Sequence, residues 1–157
     1  MACKYIYIGQ KWTSSDLKIG KGSIYLSGPR NRRGKSWRVD AINKIANAVE
    51  ATLLIPEGAN QLKGGFCRVD KEEKNRWQKF AIGSAAAIAF WYPKDAVDDL
   101  GPIDLEAWAN SAKVFIGKDP QNQTPTITKL AETHPHVTIS DSLEGLVERL
   151  TNWLNRE

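Results

Sequence analysis

The residues best suited to chemistry lie in the stretch VDDLGPIDLEAWANSAKVFIG, where Asp98, Asp99, Asp104 and Glu106 fall within nine positions. A Gly101-Pro102 turn leads into a helix predicted around 103–112, which puts Glu106 in its first turns. The positive end of that helix favours an ionised carboxylate. Taken singly, such a glutamate does no more than complement the helix dipole. Several carboxylates beside a pocket, however, suit a reaction that builds positive charge on a sugar carbon.

A second group is the loop GPRNRRGKS, between a strand and a helix. A phosphate-binding P-loop needs four residues between its first glycine and Gly-Lys-Ser, so that the backbone amides curl around the phosphates. Here five residues separate Gly28 from Gly34, and one of them is Pro29. The spacing excludes an ordinary nucleoside triphosphatase. The loop can still hold an anion less formally, through amides at the turn and Arg30, Arg32 or Arg33. The plain alternative is a solvated basic loop.

Aromatic residues offer stacking surfaces. Trp91 and Trp108 flank the predicted pocket and could stack on a base, whereas Trp37, Trp77 and Trp153 fall on predicted helix faces and suit the core or an interface. Cys3 and Cys67 form no CxxC pair, and His134 and His136 have no further Cys or His to complete a metal site. No metal and no organic cofactor is expected.

These groups are positioned by alternating strands and helices. KYIYIG (4–9) reads as a short N-terminal strand, and SIYLSG (23–28), ATLLIP (51–56), AAIAFWY (86–92), KVFIG (113–117) and HVTIS (136–140) as the strands of a series. Ser36 caps a helix with Val39, Ile42, Ile45, Ala46 and Val49 at helical spacing. Asp70 and Glu73 open another, with Trp77, Phe80, Ala81 and Ser84 on one face. Thr124-Pro125 starts a third, and a last helix from about Ser142 carries Leu143, Leu146, Val147, Leu150, Trp153 and Leu154. This order predicts one α/β domain over 1–157: a flavodoxin-like or Rossmann-like parallel sheet of about five strands, helices on both faces, plus the short N-terminal strand. Ligands in such folds bind beyond the carboxyl ends of the strands, after Leu26, Ile55, Trp91 and Ile116.

The succession SIYLSGP, SWR, LLIPEG, an Arg-Trp pair before AAIAFWYP, then DLE with a small-residue helix and KVFIG resembles the nucleoside 2-deoxyribosyltransferase-like family over residues 23–150. The resemblance implies a flavodoxin-like fold and a double displacement at the anomeric carbon of a nucleoside, with Glu106 matching the carboxylate nucleophile. It implies that Tyr25 holds the nucleophile or sugar and that Asp98 or Asp99 binds a sugar hydroxyl. It also implies homo-oligomers, dimeric or higher. Gln78 stands where the family commonly has an acid facing the base, Ala86 where a second acid opens the strand, and Trp108 where glycine is common. Gln78 can donate a hydrogen bond to a departing base but cannot protonate it.

With 41% hydrophobic and 25% charged residues, the chain has the balance of a folded globular domain. Its +4 charge falls short of the basic stripe of a duplex nucleic-acid binder. No apolar run reaches the roughly 20 residues that span a bilayer, and the N-terminus lacks a signal-peptide pattern. No membrane association and a cytoplasmic location are the expectations. The expected activity is cleavage or transfer of the N-glycosidic bond of a nucleoside or nucleoside 5′-monophosphate. Glu106 would act as nucleophile and Tyr25 would position it. Gln78 would contact the base, and Gly28 and Arg30 would lie near the base or phosphate. The alternative is a nucleotide-binding protein that keeps the fold without turnover.

Overall fold

A computed structural model of the chain describes residues 3–32, 34–63, 69–96 and 113–156. Their elements run in the order β1 (Lys4–Tyr7), β2 (Ser23–Ser27), α1 (Trp37–Ala48), β3 (Thr52–Ile55), α2 (Ala59–Leu62), α3 (Lys71–Ser84), β4 (Ala87–Tyr92), β5 (Val114–Lys118), α4 (Pro125–Thr133), β6 (Ile139–Ser140) and α5 (Leu143–Arg156). The six strands form one sheet in the order β1-β3-β2-β4-β5-β6. Every pairing is parallel. The α/β expectation therefore holds, including the short N-terminal strand.

Beyond that edge strand, the order β3-β2-β4-β5-β6 is the flavodoxin-like one, with its topological switch between β2 and β4. β2, β3 and β4 are buried along their whole length, as expected for central strands covered on both faces. On one face, Ile6, Tyr25, Leu54, Ile88, Phe90 and Ile116 pack under α3 and α4. On the other, Ile24, Leu26, Leu53, Ile55, Ala89 and Trp91 pack under α1 and α5. The period-two alternation of β2 thus divides it between two cores.

The helix starts follow the local signals. Ser36 Oγ accepts from the Arg38 amide, and Asp70 Oδ1 accepts from the Glu73 amide at 2.9 Å. Thr124 precedes Pro125 as expected, but its side chain makes no cap; Asn122 Oδ1 instead accepts from the Thr124 amide at 2.8 Å. Two details differ from expectation. The strand read at 136–140 is only Ile139–Ser140, because a turn with the Val137 amide on the His134 carbonyl uses its first residues. Phe80 leaves the apolar face of α3 and is 68% exposed, set against Trp12 with ring centroids 5.7 Å apart. The buried stripe of α3 is Trp77, Ala81 and Ile82. No helix among the described residues is long and apolar enough to cross a membrane.

Candidate functional site at the carboxyl edge of the sheet

At the switch point the loops after β2 and β4 are joined. Asn31 and Ala96 form an antiparallel bridge. The Arg32 amide donates to the Asp95 carbonyl at 2.8 Å, and Arg32 Nε donates to the Ala96 carbonyl at 3.0 Å. Gly28 makes this approach possible. Its φ is +126°, and a Cβ there would stand 2.2 Å from the Trp91 carbonyl oxygen. Only glycine combines that backbone angle with that contact.

The tripeptide Ser36-Trp37-Arg38 organises the loop from beneath. Trp37 Nε1 donates to the Pro29 carbonyl at 2.9 Å. Arg38 Nε donates to the Leu26 carbonyl at 2.9 Å, and Nη2 to the Gly28 carbonyl at 2.6 Å. Its Nη1 pairs with Glu57 Oε1, which also accepts from Ser36 Oγ at 2.7 Å. The Arg38 and Glu57 side chains are each 2% exposed.

The reason for this buried ion pair lies in the β2–β3 ladder. The Gly22 carbonyl accepts from the Thr52 amide, and the register Ile24↔Leu53 continues the pattern by two residues per step. The next donor, facing Leu26, falls at position 56, and Pro56 has no N–H. The guanidinium of Arg38 supplies the missing donors where β3 leaves the sheet. Glu57, the residue after Pro56, then neutralises it, as a buried charge requires.

Above the pair opens a polar cleft of about 110 Å³ lined by Arg30, Asn31, Arg32, Ser36, Glu57 and Gln61. The first amides of α1 do not open into it. The Trp37 amide donates to Asn31 Oδ1 at 2.8 Å, the Arg38 amide to Ser36 Oγ at 3.1 Å and the Val39 amide to the Ser36 carbonyl. An anion here would meet guanidinium groups rather than a ring of backbone amides. That physical difference separates this loop from a P-loop.

The sequence-derived residues divide by location. Tyr25, Gly28 and Arg30 lie together on β2 and its following loop. Tyr25 is fully buried on the α3 face, its ring centroid 6.4 Å from that of Trp77. Burial pushes its phenol well above the ordinary tyrosine range, against a weaker pull downward from the Arg38 charge. Gln78 is half-buried on α3, the helix covering that face. Trp91 belongs to the opposite core under α1 and α5. Its ring rests on Gly117, where a Cβ would come within 2.8 Å, so its side chain is packing and its carbonyl backs Gly28. Glu106, Asp98, Asp99 and Trp108 lie outside the described residues.

Arg38 and Glu57 are the residues that sequence reasoning missed. Arg38 stands just after the basic loop, in the SWR segment, with no role assigned to it from sequence, yet it is buried and paired. The signal was present as Pro56-Glu57 directly after a buried strand, opposite an arginine in the first turn of the preceding helix. Compared with known proteins, the chain matches no family model and no curated protein.

Proposed function

We propose that the protein cleaves or transfers the N-glycosidic bond of a nucleoside or nucleoside 5′-monophosphate, with Glu106 as the nucleophile. The observation that carries this reading is the meeting of Tyr25, Gly28 and Arg30 at the switch between β2 and β4, where folds of this order bind their ligands. These residues belong to the segments that resemble the nucleoside 2-deoxyribosyltransferase-like proteins.

In the reaction, the Glu106 carboxylate attacks the anomeric carbon and the bond to the base nitrogen breaks. The base leaves with that electron pair and takes up a proton. Water or a second base then displaces the carboxylate. Tyr25, held protonated by its burial, can donate a hydrogen bond but cannot serve as a base. Asp98 or Asp99 binds a sugar hydroxyl, Gln78 contacts the base, and Trp108 stacks on it. Arg30 and Arg32 beside the polar cleft suit a 5′-phosphate. The same reading includes a homo-oligomer, for which the exposed Phe80 beside Trp12 offers apolar surface.

The test is to incubate the protein with ribo- and deoxyribonucleosides and their 5′-monophosphates, with and without an acceptor base. Released or exchanged base is followed by chromatography, with Glu106→Ala alongside. Turnover that disappears in the variant supports the reading. A nucleotide retained intact by both proteins would replace it with a binding function.

A further inference from the structure

Two side-chain hydroxyls in the centre of the sheet have no hydrogen-bond partner among the described residues, Tyr25 Oη and Ser27 Oγ. Both residues are fully buried. They stand two positions apart on β2, so both project from the α3 face, beside Ile88 and Phe90 of β4. Their surroundings on that face are apolar and aromatic: Ile88, Phe90, Tyr92 and Trp77.

A buried hydroxyl without a partner opposes folding, and native structures contain few of them. The rest of β2 follows that rule. Ser23, on the same face at the amino end, donates to the Ser84 carbonyl and accepts from the Ala86 amide at 3.0 Å. At the carboxyl edge, Ser36, Arg38 and Glu57 satisfy one another, and Asn122 Nδ2 donates to the Pro93 carbonyl at 2.7 Å. The unsatisfied hydroxyls thus lie in the carboxyl half of β2, and Ser27 is its last residue, at the topological switch where folds of this order bind ligands.

Resting on the function proposed above, we infer that Ser27 is a ligand-binding residue whose hydroxyl bonds a sugar hydroxyl of the nucleoside, beside Tyr25. The chemistry favours a neutral polyol over an anion at this point. Ser27 and Tyr25 offer hydroxyls that both donate and accept. The nearby guanidinium of Arg38 is already committed to Leu26, Gly28 and Glu57. An anionic group is better placed in the cleft lined by Arg30 and Arg32.

Thermal unfolding of the whole chain and calorimetric titration with ribo- and deoxyribonucleosides and their 5′-monophosphates test this, using wild type and Ser27→Ala. The variant loses a hydroxyl that has no internal bond, so without ligand it melts at or above the wild-type temperature. Its affinity for the nucleoside that the wild type binds falls about tenfold, the effect of one hydrogen bond of ordinary strength to a buried ligand. Undiminished affinity overturns the inference and leaves the N-glycosidic reading standing. A lower melting temperature without ligand overturns it as well, because the hydroxyl would then be serving the fold. If wild type binds no nucleoside or nucleotide of the panel, the proposed function falls and this inference falls with it.

Discussion

The guanidinium of Arg38 and the carboxylate of Glu57 meet at the carboxyl edge of the sheet, and the same guanidinium caps the Leu26 and Gly28 carbonyls. One side chain therefore does for β2 what a longer β3 would have done with backbone amides. It leaves the sheet edge open above it, where Arg30, Arg32 and Gln61 border a cleft instead of a neighbouring strand.

Replacing Arg38 by Met strands the Glu57 charge and leaves two strand carbonyls without donors. A loss of about 3–5 kcal/mol is expected, the range for removing one member of a buried pair. Glu57→Gln keeps an acceptor for Ser36 and Arg38 and loses less. Urea unfolding of the two variants against wild type measures the difference; equal stability of Arg38→Met would refute the structural role.

Gly28→Ala and Gly34→Ala separate backbone strain from steric conflict. Both glycines have positive φ, but nothing lies within 4 Å of a Cβ at Gly34, whereas one at Gly28 meets the Trp91 carbonyl. Gly34→Ala loses ~1–2 kcal/mol from the left-handed backbone alone. Gly28→Ala loses more and, because it pushes β2 from β4, also reduces any nucleotide binding. Melting curves and ligand titrations for the pair check this order.

Tyr25 has a consequence at alkaline pH. Its folded-state pKa is raised by burial, so its contribution to stability is intact below the unfolded pKa of about 10. It is lost as pH rises above that value towards the folded pKa. In a spectrophotometric titration, the Tyr25 phenol ionises only as the protein unfolds. Tyr25→Phe removes that lagging phenol and lessens the fall in stability above pH ~10.

Asp16 has the opposite sign. The Lys4 ammonium, at 2.5 Å, and the Thr13 amide, at 2.8 Å, hold its carboxyl below the ordinary aspartate range. Its contribution is present above the unfolded pKa of about 4 and is lost as pH falls through the lower folded value. Carboxyl NMR titration reads this directly, and Lys4→Ala moves the Asp16 midpoint upward. An unmoved midpoint would assign the shift to Thr13 instead.

The alternation of apolar strands with capped amphipathic helices was enough to predict a parallel sheet covered on both faces. Those signals are local: an N-cap such as Ser36 or Asp70 acts within a few residues of itself, and strand periodicity needs only five or six. The carboxyl edge of the sheet was legible for the same reason, since the carboxyl ends of strands follow from chain direction. Tyr25, Gly28 and Arg30 could be placed on β2 and the loop after it from sequence. The partners across that edge could not, because they depend on which strands become neighbours. Trp91 looked like a pocket residue, and its alternation phase turned it into the opposite core over Gly117. Arg38 carried no role assigned from sequence. Only the order of β3 beside β2, with Pro56 arriving where an amide was required, made burying its charge against Glu57 the way to complete the sheet.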